Sequence, residues 1–190
     1  MMISHIKKDL QRYYKIELNG NMNPSTMAIA RLLIDNAGLQ AVIIYRFGRH
    51  IRDLVEDGKG LAASVMHPLY KILNWIACKA FGIDISQDAD IGSGFYIGHF
   101  GGIVIQKCNI GENCSISQQV NIIFQEDAVS TIGSSVWMGA HAYISPGVTI
   151  GSHATVAAGA RVDSDFSDNV LIMGSPARVL SANYDNSRLL

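Results

Sequence analysis

From Ile85 onward, aliphatic residues return with a period of six. They are Ile85, Ile91 and Ile97, then Val104, Ile110, Ile116 and Ile122, and after a longer step Ile132, Met138, Ile144, Ile150, Val156 and Val162. The fifth position of each unit is apolar too, from Ala89, Phe95, Cys108 and Cys114 to Ala154, Ala160 and Phe166. Strand alternation has a period of two and helices one of 3.6, so neither accounts for this spacing. Two inward positions per six residues describe one flat side of a triangular solenoid. A single unit cannot bury its own inward residues, so successive coils must stack. An ordinary all-β domain would space its strands unevenly. The expected fold is therefore mainly β, a parallel β-helix.

Two breaks interrupt the period. One extra residue falls between Ile97 and Val104, beside His99 and Gly101-Gly102, and four fall between Ile122 and Ile132, a span that includes Phe124, Gln125, Glu126 and Asp127. A solenoid usually places function where it departs from its repeat.

Residues up to about Ala80 carry helical spacing instead. Ser4 is expected to cap a first helix with Ile6, Leu10 and Tyr13 or Tyr14 on one face. Asn23-Pro24 reads as an N-cap followed by a first-turn proline, and Ala37-Gly38 as an interruption. Leu39, Val42, Ile43, Phe47, Ile51 and Leu54 form an apolar stripe, with Arg46, Arg49, His50 and Asp53 turned away. After a loop at 57–60 the pattern restarts with Val65, Leu69, Ile72, Leu73 and Ile76, and Pro68 should kink that helix or reset its start. Three parts are expected: a helical region at 1–80, the solenoid at 81–180 and a tail at 181–190.

Hydrophobic residues make up 48% and charged residues 16% of the chain, against about 25% charged in typical domains. A surface so short of charge suits burial against copies of itself. The formal net charge of -1 supplies no field for nucleic acid. Cys78, Cys108 and Cys114 form no metal-like pair, and with no leader sequence read at the N-terminus they point to a reducing, cytoplasmic setting. In the helical half, uncharged stretches such as Asn36 to Tyr45 and Gly60 to Tyr70 fall well short of the ~20 residues of a membrane span. Peripheral membrane contact stays open.

The strings Gly-Ile-Asp-Ile (82–85) and Ile-Gly-Ser-Gly-Phe-Tyr-Ile-Gly-His-Phe-Gly-Gly-Ile-Val-Ile (91–105) resemble the serine acetyltransferase family. Gly-Ser-Pro-Ala-Arg (174–178) is similar to the closing motif of hexapeptide acyltransferases generally. The resemblance implies a left-handed coil after a helical region, a homotrimer, and acetyl-CoA as acyl donor in the groove between subunits, with no metal. It implies His99 as catalytic base and Asp84 as its carboxylate partner. A hydroxyl is a poor nucleophile until a base takes its proton, and a carboxylate on the other ring nitrogen fixes the imidazole tautomer. Backbone N–H groups at Gly101-Gly102 are the candidates for the oxyanion. Donor contacts carry over to Gly139, Ala140, Ala157 and Ala158, and Arg178 is the candidate for the CoA phosphates. Asp88 and Asp90 compete with Asp84 as simple surface carboxylates, and His141 and His153 read as exposed turn residues.

The sequence departs from the serine-acetylating pattern at the acceptor side. An aspartate usually precedes the catalytic histidine, where this chain has Gly98. The usual long loop carries an Arg-His pair, whereas residues 123–131 are few and include Glu126, Asp127 and no basic residue. Unpaired charge in a closed site is costly, so a zwitterion is poorly served. The pattern is closer to the exopolysaccharide and capsule branch of the family, and a sugar hydroxyl is the expected acceptor, with serine, as in cysteine biosynthesis, as the alternative. Two other classes of function fit these residues less well. A zinc carbonic anhydrase on this scaffold needs three grouped histidines, two of them close in sequence, which His99, His141 and His153 do not offer. A non-enzymatic scaffold would bind through its tail, and the Asn-Ser-Arg-Leu-Leu ending does not match the known isoleucine-ended one.

Overall fold

The computed structural model describes residues 2–18 and 25–190 of the chain. Four helices come first: α1 (Met2–Leu18), α2 (Thr26–Asp35), α3 (Ala37–Glu56) and α4 (Gly60–Ile76), the last running into a π-turn, Ala77–Phe81. A β-solenoid of about five turns follows. Its strands stack into three faces. The first face holds Ile83–Ile85, Ile103–Ile105, Asn121–Ile122, Tyr143–Ile144 and Arg161–Val162; the second begins at Asp90–Ile91; the third begins at Tyr96–Ile97. All of these pairings are parallel until Arg178–Ala182 folds back antiparallel on Val170–Met173.

The six-residue rule describes the core. Ile85, Ile105, Ile122, Ile144 and Val162 stack as one buried column, and Ala89, Phe95, Val136, Ala142, Ala154 and Ala160 fill the corners between columns. The expected inward position Val104 is corrected: it is half-buried on the outer side, and Ile103 and Ile105 point inward instead. The step from Ile97 to its successor is thus eight residues rather than seven, and the next step, to Ile110, is five. The cause is local. Gly101 (φ 107°) and Gly102 (φ 65°) both hold positive φ, a conformation glycine adopts without steric cost. The bulge they form uses two extra residues, one of which is recovered in the next corner.

The helical half differs more from its expected outline. Helix α1 already begins at Met2, so Ser4 lies within it, and the Asn23-Pro24 cap falls outside the described residues. Ser25 caps α2 by accepting from the Ala28 amide at 3.2 Å. The break before α3 sits at Asn36, whose side chain accepts from Leu39 N at 2.9 Å, and α2 and α3 bend there by 94°. Ala37 and Gly38 belong to the first turn of α3 rather than interrupting a helix. Helix α4 runs through Pro68 without a break. Its buried residues are Ala63 and Tyr70, while Val65, Leu69 and Ile72 face outward.

Arg46 is buried, not turned away, and it belongs to a set of side chains that closes the first coil. The strands Asp90–Ile91 and Tyr96–Ile97 end their sheets, so their backbone groups need other partners. The Tyr45 hydroxyl accepts from Ile91 N (3.1 Å) and donates to Ala89 O (2.9 Å). Burial pushes that hydroxyl up to about 12, which keeps it protonated. The Tyr13 hydroxyl accepts from Ile97 N (2.9 Å), and Asp9 accepts from Gly94 N (2.7 Å) and Phe95 N (3.0 Å). Arg46 donates to Asp9 (2.9 Å), to Ile91 O and to Gly92 O (2.7 Å), while Arg12 reaches Gly94 O and Ser115 Oγ.

Helix α3 can approach this coil because residue 38 has no side chain. A Cβ on Gly38 would lie 2.7 Å from Ile97 O and 2.9 Å from Ile97 Cβ, both rigid atoms. Helix propensity alone makes Gly→Ala favourable by up to about 1 kcal/mol. Here the overlap dominates, and Gly38→Ala is expected to lower stability by about 1–3 kcal/mol. A shift in the urea midpoint at constant slope measures it, and a stabilised variant would contradict the contact.

Candidate active site

The edge between the third and first faces collects most of the residues singled out by sequence. Each coil turns this corner once, at 98–102, 117–119, 139–141, 157–159 and 174–176. Backbone hydrogen bonds tie successive corners together: Gly98 N to Ile116 O (2.9 Å), Ser117 N to Met138 O (3.0 Å), Gly139 N to Val156 O (2.8 Å) and Ala157 N to Ile172 O (2.8 Å). A second series runs beside it, with Gln119 N to Gly101 O (2.8 Å), His141 N to Gln118 O (3.0 Å) and Gly159 N to Ala140 O (2.8 Å). Gly98, His99, Gly101, Gly102, Gly139, Ala140, Ala157 and Ala158 therefore share one edge. Small side chains at 140, 157 and 158 leave room beside that edge, where the Ala140 and Ala158 amides donate to no described group.

His99 is exposed at the top of that edge, and Asp84 is exposed on the neighbouring strand Ile83–Ile85, opposite Val104. Gly82 joins the two segments: its carbonyl accepts from Ile103 N at 3.0 Å, and a Cβ on it would lie 3.1 Å from Gly102 N. No hydrogen bond links His99 to Asp84 among the described residues. Such bonds are often long or misaligned until substrate binds. The Gly101 and Gly102 amides likewise donate to no described group.

The three candidate carboxylates separate by their partners. Asp88 pairs with Arg52 at 2.6 Å and Asp90 lies 3.9 Å from Arg49, both on the surface toward α3. Asp84 has no cation among the described residues and instead faces α4 and its π-turn. There the Cys78 thiol is pushed up by burial and by the Asp84 carboxylate, and the buried Tyr70 hydroxyl is pushed up to about 12, first by burial and then by the same carboxylate. Both groups keep their protons, and the Cys78 thiol donates toward Asp84. Sequence reasoning did not identify Cys78 or Tyr70, because nothing in the repeat marks residues that approach it from a helix.

Two further placements bear on substrates. A Cβ on Gly98 would meet the Tyr96 ring at 3.2 Å, and Tyr96 is held by Glu17 (2.6 Å) and by contact with Tyr13. A side chain at 98 would require the Tyr96 ring to shift by a few tenths of an ångström. Arg178 is exposed on the antiparallel strand beside the last corner, and Arg161, also exposed, lies over the Tyr143 ring at 4.9 Å on the first face.

The second interruption falls elsewhere. Residues 123–129 form a small hairpin bridged at Gln125 and Ala128, on the edge between the first and second faces. Within one chain it does not adjoin the His99 corner. His141 (φ 61°) and His153 (φ 58°) occupy left-handed corner positions on two different edges, both exposed, as turn residues. Among the described residues no three His, Cys, Asp or Glu side chains gather into a group that could hold a metal ion.

Residues 130–164 match the family model described as bacterial transferase hexapeptide (six repeats). A Schizosaccharomyces pombe protein provisionally named a serine acetyltransferase is 31% identical over 175 residues, covering 90% of this chain and 59% of its own. Galactoside O-acetyltransferase of Escherichia coli (strain K12) is 43% identical over 58 residues, 30% of this chain and 29% of that protein. This chain therefore spans less than two thirds of either relative. Among solved structures, the Neisseria gonorrhoeae serine acetyltransferase in complex with serine superposes with a TM-score of 0.75 at 26% identity, covering 95% of this chain and 69% of that one.

Proposed function

We propose that this chain is an acetyl-CoA-dependent O-acetyltransferase with His99 as its general base. In this reading His99 takes the proton of an acceptor hydroxyl, and the freed oxygen attacks the thioester carbonyl. The tetrahedral oxyanion is met by the Gly101 and Gly102 amides. CoA then leaves as thiolate and takes the proton back from the imidazolium, giving the acetyl ester and free CoA. Asp84 holds the imidazole in the productive tautomer. Acetyl-CoA lies along the corners at Gly139, Ala140, Ala157 and Ala158, with Arg178 at the phosphate end, and a neighbouring subunit of a homotrimer supplies the other wall. The observation supporting this most is the alignment of those corners on one edge.

Serine is the acceptor favoured by the comparisons, because the serine acetyltransferase relatives extend over 90% and 95% of the chain. This reverses the preference drawn from sequence alone. A sugar hydroxyl in surface polysaccharide synthesis remains the second reading for one specific reason. Position 98 offers no carboxylate for an amino group, and the 123–129 hairpin carries acids but no base for a substrate carboxylate. The discriminating experiment follows CoA thiol release from acetyl-CoA with serine, with a galactoside and with nucleotide sugars. Turnover of serine is the expected result. Turnover confined to sugars would transfer the assignment to the second reading, and no release above hydrolysis with any acceptor would overturn the activity.

A further inference from the structure

Charge along the edge that begins at His99 is unevenly placed. Its five corners, 98–102, 117–119, 139–141, 157–159 and 174–176, contain no Asp or Glu. The outward residues of the adjoining first face form one paired column, Asp84, Val104, Asn121, Tyr143 and Arg161. Negative charge thus stands at the His99 end and positive charge at the other. Arg161 is exposed and lies over the Tyr143 ring at 4.9 Å. Its backbone is tied to the last corner, with Arg161 N donating to Gly174 O (2.9 Å) and Ala177 N donating to Arg161 O (2.9 Å). Arg178 follows directly, so the two arginines flank that corner, and neither pairs with a carboxylate among the described residues. The nearest acids in sequence, Asp163 and Asp165, sit in the following corner, before Phe166 joins the second face, and Asp165 accepts from Thr149 N (2.7 Å).

The strand ladder sets where a ligand's charges fall. Neighbouring strands are ~4.8 Å apart, so the fourth and fifth corners lie ~14 Å and ~19 Å beyond that of His99. The arm of acetyl-CoA, from its sulfur to the first phosphorus, is a chain of about 13 bonds and extends ~15 Å at the reach of a peptide chain. A thioester held at His99 therefore delivers its diphosphate to the last two corners, where Arg161 and Arg178 stand. The third-face side of the edge is covered: Tyr96 packs on Tyr13 of α1, Arg12 donates to Ser115 Oγ (2.7 Å), and the outward Thr155 is buried, with Asn186 donating to Ala154 O (3.3 Å). The first-face side is open, since Asn121 and Tyr143 are partly exposed and Arg161 is exposed. A guanidinium stacked on a ring has its planar face held while its N–H fork stays free for phosphate oxygens. We infer that Arg161, held by Tyr143, binds the diphosphate of the acyl donor from the first-face side. This rests on the acetyl-CoA reading above and is independent of which acceptor is acetylated.

The test is calorimetric titration of the full chain with CoA and with 3′-dephospho-CoA. Arg161→Ala is expected to weaken CoA binding about tenfold, the loss of a charge-assisted contact at an exposed site. It should weaken 3′-dephospho-CoA by the same factor, because the diphosphate is common to both. Arg161→Lys should recover part of the loss, Tyr143→Ala should cost about threefold, and Tyr143→Phe should cost nothing. Affinity of the Arg161→Ala protein should also fall less steeply with salt than that of the parent. In turnover the loss should appear in KM for acetyl-CoA and be absent with S-acetylpantetheine, which carries no diphosphate. Equal CoA affinity of parent and Arg161→Ala overturns the inference and leaves the acetyltransferase reading standing, whereas a parent that binds no CoA removes both. A penalty that vanishes with 3′-dephospho-CoA overturns the diphosphate assignment. So does a fall in oligomer mass of Arg161→Ala at unchanged CoA affinity, which would pair Arg161 with a neighbouring copy.

Discussion

Replacing His99 with alanine is expected to lower kcat/KM for acetyl transfer by about 10²- to 10⁴-fold, the range for a lost general base. The loss should fall on kcat. The corners at 139–141 and 157–159, proposed to hold the donor, are two and three coils away, so KM for acetyl-CoA should change little, the pattern of an interaction made only in the transition state. Folding should be indifferent to the change, because His99 is exposed and makes no hydrogen bond among the described residues. Asp84→Asn is the informative companion. It keeps the shape and removes the charge that would stabilise the imidazolium, so it should also lower kcat, and combining it with His99→Ala should add little. Activity of His99→Ala within a few-fold of the parent, with intact folding, would remove the histidine from the mechanism.

How far the sequence could be read depends on how local each determinant is. The column of inward residues was legible because burial in a solenoid repeats coil by coil, and Ile85, Ile122, Ile144 and Val162 occupy the expected sites. Val104 was misplaced because periodicity records only the net spacing from Ile97 to Ile110. The bulge at Gly101-Gly102 adds residues before that point and the next corner loses one after it. In the helices the failures are tertiary. Arg46 sits in a helical pattern where a charge ordinarily means solvent, yet its partners are Asp9 on another helix and two carbonyls of the first coil. Helix α4 has two apolar stripes, and spacing alone cannot say which one faces α3. The site shows the same division. His99, Asp84 and the small corner residues were found from their patterns, but their shared edge and the approach of Cys78 and Tyr70 to Asp84 are properties of the folded chain.

Asp9→Ala is expected to cost about 3–5 kcal/mol, the range for stranding one member of a buried ion pair. Asp9 is fully buried and Arg46 nearly so. The substitution leaves the Arg46 guanidinium without its counter-charge and strips the Gly94 and Phe95 amides of their acceptor at the same time. Exposed pairs such as Arg31–Asp35 in α2 and Arg52–Glu56 in α3 are worth only about 0–1 kcal/mol, which makes Arg31→Ala the internal control. Asp9→Asn should fall between the two, since its carbonyl oxygen can still accept from one amide while the charge is gone. Urea unfolding of the four proteins gives the comparison directly, and a loss at Asp9→Ala no larger than that of Arg31→Ala would contradict the pairing. The consequence extends to the site. Asp9, Arg46, Tyr13 and Tyr45 close the coil that leads through Ile97 into the His99 corner. Loosening that closure should therefore reduce activity before the solenoid itself unfolds, and Asp9→Asn should lose kcat at temperatures where its β-sheet dichroism is still intact.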